Sequence, residues 1–293
     1  SSSPHTSQRS PSQIYHHRSP CNLNWFSTRT YSYCSASSAP KEKLVISSFQ
    51  TTTNISNFEG SSTVTNKFDE TKAAKSRVDA AKLYLQKNSL QRAKFHLDKA
   101  ASHDDSYPDL YLTLGYYYQL ARKDDEAKQA FKKALRLDGD NPEYKNALGQ
   151  FLCQQGEYEE AFELFDDAIN TPTYSNAAQA YVNAGQCKSK QGNTAEAVDY
   201  FRQALHLNKK MPAALIEMAE YEFQQQRYSR TIQYIDRYKE EARHTPRSIW
   251  LALRAEHRRG NMDAVASYAL LLQNLYPDAE ETILFLDSKQ QWQ

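Results

Sequence analysis

The chain has no run of 18 or more apolar residues, so nothing in it is long enough to cross a bilayer as a helix. It also lacks an excess of charge of either sign, with 36 Lys and Arg against 35 Asp and Glu. That balance argues against a nucleic-acid reader, which needs a basic surface to meet phosphates. No phosphate-binding glycine loop, no HExxH, no CxxC and no alternation of strand and helix patterns is present. His96 and His103 lie seven residues apart without a further ligand at suitable spacing, so they are read as solvated or edge-packed histidines and no metal or other cofactor is expected. The acidic clusters in Glu159–Glu163 and Lys123–Lys128 read as solvated helix faces with i,i+4 ion pairs, not as acid/base dyads. A chain without a reactive cluster is expected to bind other molecules rather than transform them, so no catalytic residue is assigned.

Residues 1–67 differ from the remainder of the chain. They are rich in Ser, Thr and Asn, hold only Glu42 and Glu59 as acids, and show no sustained apolar period. Such a segment buries too little surface to offset its ordering entropy, and it is read as a disordered linker or targeting segment. Lys43–Phe49 could pair as a strand, although a solvated linker is the simpler reading. No apolar core of a secretory signal peptide is found there.

From about residue 68 the pattern changes to a register that recurs every 34 residues. Its clearest copy is Pro108–Asn141, in which Gly115 is followed by Ala127, Phe131 and Ala134. Stepping back gives Ala81, Ala93, Leu97 and Ala100; stepping forward gives Gly149, Ala161, Phe165 and Ala168. The spacing then widens to 36 between Ala161 and Ala197, with the two extra residues placed in the turn-rich stretch Asn170–Asn176, after which Gly185, Ala197 and Phe201 resume the pattern. A small residue at unit position 8, Ala at 20 and an aromatic at 24 form the tetratricopeptide signature. Two helices joined by a tight turn approach closely only where they cross on small side chains, and a large ring then fills the space beside the crossing. One such pair cannot bury its apolar stripe alone, so the pairs stack. The expected fold is an all-α, right-handed α-solenoid of six helix-turn-helix repeats over residues 68–281. The repeats fall at about 74–107, 108–141, 142–175, 178–211, 212–245 and 246–279, with the last two degenerate, and residues 282–293 form a tail that could cap the array.

In this architecture the first helix of each pair lines the groove. Unit positions 2, 5, 9 and 12 avoid the packed stripe and are expected to face it. They include Leu112, Tyr116 and Gln119; Asn146, Gln150 and Cys153; Val182 and Gln186; and Ile216, Glu220 and Phe223. Amides mixed with apolar groups suit a polypeptide held by backbone hydrogen bonds and shallow pockets. The Lys/Arg/Asn set that grips a chain-terminal carboxylate in chaperone adaptors is absent from these positions. Cys153 and Cys187 occupy positions 12 and 10 of adjacent first helices, so a disulfide is conceivable in an oxidising compartment; two buried free thiols are the alternative. Cys21 and Cys34 have no evident partner.

Three stretches go beyond the generic repeat: Asn146–Ile169, Thr173–Ala197 and Thr245–Glu281. Together with the position of the two-residue insertion, they resemble the type IV pilus biogenesis and stability proteins of the PilF/PilW family. That resemblance implies a non-enzymatic lipoprotein at the periplasmic face of an outer membrane, attached through an N-terminal lipid. It implies a pilotin that binds secretin subunits, promotes their localisation and multimerisation, and meets other pilus assembly proteins. The family's lipobox has no counterpart at Cys21, preceded by His-Arg-Ser-Pro, or at Cys34, preceded by Thr-Tyr-Ser-Tyr. A general interaction adaptor of the cell envelope is the alternative. A regulatory arm of an enzyme is disfavoured because the repeats consume residues 68–281.

Overall fold

The computed structural model describes residues 69–288. The expectations for residues 1–67, including the Lys43–Phe49 strand, Cys21 and Cys34, lie outside the described residues. Among the described residues there are thirteen helices and no strand. Six hairpins follow one another: α1 Glu70–Gln86 with α2 Leu90–His103, α3 Pro108–Leu120 with α4 Asp124–Leu137, α5 Pro142–Gln155 with α6 Tyr158–Ile169, α7 Ala177–Lys190 with α8 Thr194–Leu207, α9 Pro212–Gln224 with α10 Tyr228–Glu241, and α11 Pro246–Arg259 with α12 Met262–Leu275. A final short helix, α13 Glu280–Ser288, packs on α11 and α12 where a seventh pair would begin.

Local chemistry sets the helix ends. Pro108, Pro142, Pro212 and Pro246 open α3, α5, α9 and α11, where a missing amide donor costs nothing. Asp69 caps α1 by accepting from the Lys72 amide at 2.9 Å. Each hairpin turns through one residue in the left-handed region: Asn88, Arg122, Gly156, Gly192, Gln226 and Gly260, with φ between 53° and 87°. These positions repeat the 34-residue step, with the single 36-residue gap falling between Gly156 and Gly192.

The signature residues meet where the two helices of a pair cross. A Cβ on Gly115 would stand 2.5 Å from the Phe131 ring, one on Gly149 3.0 Å from Phe165, and one on Gly185 2.6 Å from Phe201. Ala81, Ala93, Ala127, Phe131, Ala161, Phe165, Ala197 and Phe201 are all buried. The crossing pair lies 16 residues apart in every repeat, and its two sizes vary in compensation. Glycine faces phenylalanine in repeats two to four, Ala81 shares a core cluster with Leu97, and Ala219 shares one with Ile235. In repeat six the sizes invert, with Leu253 on the first helix and Ala269 on the second. The degenerate repeats therefore conserve the volume of the crossing while exchanging its residues, as close packing requires.

Candidate functional site

Three neighbouring pairs of first helices pack closely against each other, α1 on α3, α5 on α7 and α9 on α11, while no two second helices do so among the described residues. The surface that the first helices share is taken as the inner face of the repeat array.

This face carries a ladder of side-chain rungs between neighbouring repeats. Tyr144 donates to Asp109 Oδ1 at 2.8 Å, Tyr107 donates to Asp109 Oδ2 at 3.2 Å, and Lys82 approaches the same oxygen at 3.5 Å. Burial and the adjacent Asp109 push the Tyr107 phenol up to about 12 and raise Tyr144 as well. Gln119 donates to Gln154 on the next first helix. Asn183 donates to Asn146 at 3.0 Å and accepts from Gln179 at 2.9 Å, so two fully buried amides are satisfied across the α5–α7 boundary. Beside them Cys153 and Cys187 are disulfide-bonded, with Cα atoms 5.8 Å apart.

The insertion loop also reaches this region. Tyr174 donates to Glu143 Oε2 at 3.0 Å and Asn176 donates to the same oxygen at 3.2 Å. Burial, then the charge of Glu143, raises the Tyr174 phenol far above its ordinary value. Farther along, Gln186 donates to Glu217 at 3.4 Å, and Arg247 clamps Glu217 with two hydrogen bonds of 3.0 Å. Burial works against the Arg247 charge, but the Glu217 carboxylate outweighs it and raises its affinity for the proton. Arg254 lies 3.7 Å from Glu220 and stacks over the Phe223 ring at 4.5 Å and the Trp250 ring at 5.5 Å.

Not every expected lining residue reaches the surface. Leu112, Asn146, Val182 and Ile216, all at unit position 5, are buried, which corrects the expectation that this position faces an open groove. The reason is the close approach of neighbouring first helices: Ile216 packs in one cluster with Leu251 and Ala252 of α11, and Val182 in another with Ala214 of α9. Tyr116 is also buried, its ring edge-on to Phe131 at 5.1 Å, and Cys153 is withdrawn into the disulfide. Gln119, Gln150, Gln186 and Phe223 remain partly exposed. Arg247, Trp250 and Arg254, absent from the expected lining, take positions 2, 5 and 9 of repeat six; carrying the same register one repeat further would have named them.

Among the described residues no group of three or more His, Cys, Asp or Glu could hold a metal ion, and no helix is long and apolar enough to cross a membrane. His96 stacks on Tyr84 at 5.2 Å. The inner face presents amides, aromatic rings and the charged groups around Asp109 and around Glu217 and Glu220.

Comparison with known proteins identifies the repeats. Tetratricopeptide-repeat family models match residues 84–151, 143–210 and 189–257. The type IV pilus assembly protein PilF of Pseudomonas aeruginosa is 31% identical over 198 residues, covering 68% of this chain and 79% of that protein. An uncharacterised protein of Haemophilus influenzae is 35% identical over 133 residues, 45% of this chain and 72% of that one. The solved structure of P. aeruginosa PilF superposes with a TM-score of 0.64 at 29% identity, covering 75% of this chain and 99% of that one. The structure of PilW, a widely conserved type IV pilus biogenesis factor, gives 0.63 at 25%, covering 73% and 98%. The chain belongs to the PilF/PilW family of tetratricopeptide-repeat proteins of type IV pilus biogenesis.

Proposed function

We propose that this protein is a pilotin: a non-enzymatic scaffold whose inner face holds a segment of the pilus secretin and promotes its assembly into a multimeric ring at the outer membrane. The match to PilF over nearly the whole solenoid is the observation that carries this reading. The partly exposed amides Gln119, Gln150 and Gln186, one on each of three successive first helices, offer a bound chain hydrogen-bond donors and acceptors, and Phe223 offers an apolar contact. The Cys153–Cys187 bridge suits an oxidising compartment such as the periplasm. Other pilus assembly proteins are secondary partners in this proposal, and attachment to the membrane is through an N-terminal lipid, as the family resemblance implies. The mechanism is stoichiometric: the scaffold covers secretin surfaces until ring contacts replace it.

Deleting the gene and running the secretin on a denaturing gel without boiling tests the proposal. The expected result is loss of the heat-sensitive multimer and of its outer-membrane fractionation, both restored by the wild-type chain. Unchanged multimer would point instead to a general adaptor of the envelope.

A further inference from the structure

The charged cluster at the α9–α11 boundary is unevenly satisfied. Arg247 is held by two hydrogen bonds to Glu217. Arg254, two turns further along α11, has no such partner: its Nε is buried without a hydrogen bond, and its nearest carboxylate oxygen, Glu220 Oε1, lies at 3.7 Å, outside hydrogen-bond range. Glu220 is also shared with Arg247 at 3.9 Å. What holds the Arg254 guanidinium is aromatic stacking, on Phe223 and Trp250, and its side chain stays 30% exposed. Burial, only partly offset by Glu220, lowers its affinity for the proton, as expected of a cation short of acceptors.

We infer that Arg254, on its floor of Phe223 and Trp250, is the receptor for an acidic side chain of an extended partner segment, an Asp or Glu next to an apolar residue. The inference rests on the proposed role of the inner face in holding a polypeptide, and adds the chemistry that the segment must carry. With Nε buried, the terminal amino groups of the guanidinium are the donors left to meet a carboxylate, and the adjoining rings lower the local polarity and strengthen the contact. The same rings receive the neighbouring apolar side chain. Glu220 disfavours a second acid, so the motif carries one carboxylate, not an acidic run.

The test uses the full chain, labelled with nitrogen-15, and three synthetic peptides: acetyl-Phe-Glu-Leu-amide, acetyl-Phe-Gln-Leu-amide, and the latter with a free C-terminal acid. The Arg254 Nε–H resonance is assigned by its loss in Arg254→Lys, and the Trp250 indole N–H reports the floor. The expected result is a saturable shift of both signals with the Glu peptide, about tenfold weaker binding of the Gln amide, and an Arg254→Gln variant that binds the two amides alike. Equal affinity of the two amides for the wild type, or shifts confined to another face, would overturn the inference. Tighter binding of the free acid would overturn the choice of an internal acidic residue in favour of a chain end. Capture of secretin by wild type and by Arg254→Gln separates the two levels. Equal capture sinks the Arg254 assignment and leaves the pilotin reading intact, whereas no capture by the wild type sinks the pilotin reading while the peptide titration still decides the receptor.

Discussion

Replacing both Cys153 and Cys187 by alanine should cost this solenoid a measurable share of its stability. The bridge joins α5 to α7 across a boundary between repeats and closes a loop of 34 residues. In the chain-entropy account, releasing a loop of that size restores about 13 cal/mol/K to the unfolded ensemble, or roughly 3.8 kcal/mol at 25 °C. Both sulfurs are buried, so the two lost Sγ atoms add a small packing deficit in the same direction. For a helical array of this size, each kcal/mol corresponds to about 2–4 °C in melting temperature, so the double variant should melt roughly 8–15 °C below the oxidised wild type. Circular dichroism at 222 nm, followed through a thermal ramp, reads the shift. Peptide mapping of the wild type should recover Cys153 and Cys187 in one linked fragment. Two free thiols at these positions in protein isolated from an oxidising compartment, or a double variant that melts within about 2 °C of wild type, would refute the reasoning.

Three further perturbations have expected outcomes. Gly115→Ala places a Cβ into the Phe131 ring and should destabilise the chain by about 1–2 kcal/mol, overpacking outweighing the gain in helix propensity. Adding Phe131→Leu, which recreates the Ala81–Leu97 pair of repeat one, should recover part of that loss, so a urea double-mutant cycle returns a favourable coupling; strict additivity would contradict the packing account. Arg122 turns the second hairpin at φ 57°, so Arg122→Gly should raise the unfolding free energy by up to about 1 kcal/mol and the urea midpoint with it, where a loss would mean the side chain holds the turn. Burial first, and then Lys239, depress the proton affinity of His244, which is hydrogen-bonded to Ser248 Oγ at 3.0 Å. Because the unfolded state then binds more protons, the His244 contribution is complete above about pH 6.5 and is lost as pH falls through the depressed folded value. An NMR titration midpoint for His244 at about 6.5 would abolish that contribution, and one above about 6.5 would reverse its sign.

Much of the fold was legible because it depends on sizes at fixed spacing. Gly115, Gly149 and Gly185 each stand 16 residues before the phenylalanine that needs their missing Cβ, and that arithmetic survives any detail of helix rotation. Repeat six hid its version by exchanging the large and small partners, Leu253 and Ala269, so its residues matched no consensus while its volumes did. The inner face was less legible. An ideal wheel turns position 5 outward from its own hairpin, but a neighbouring first helix then covers it, and Leu112, Asn146, Val182 and Ile216 become interface residues. Coverage of that kind depends on the packing between repeats, which a single repeat's sequence does not encode. Tyr174 was obscured for a related reason: it sits in the insertion, outside any register, and docks on Glu143 at the start of α5.

The most direct measurement is photo-crosslinking from the solenoid to the secretin in cells. A photoreactive phenylalanine analogue at Gln186, on the inner face, is compared with one at Gln203, on the exposed side of α8. The account predicts a secretin adduct from position 186 and none from 203. An adduct from 203 alone, or adducts from neither position in cells that assemble pili, would contradict it.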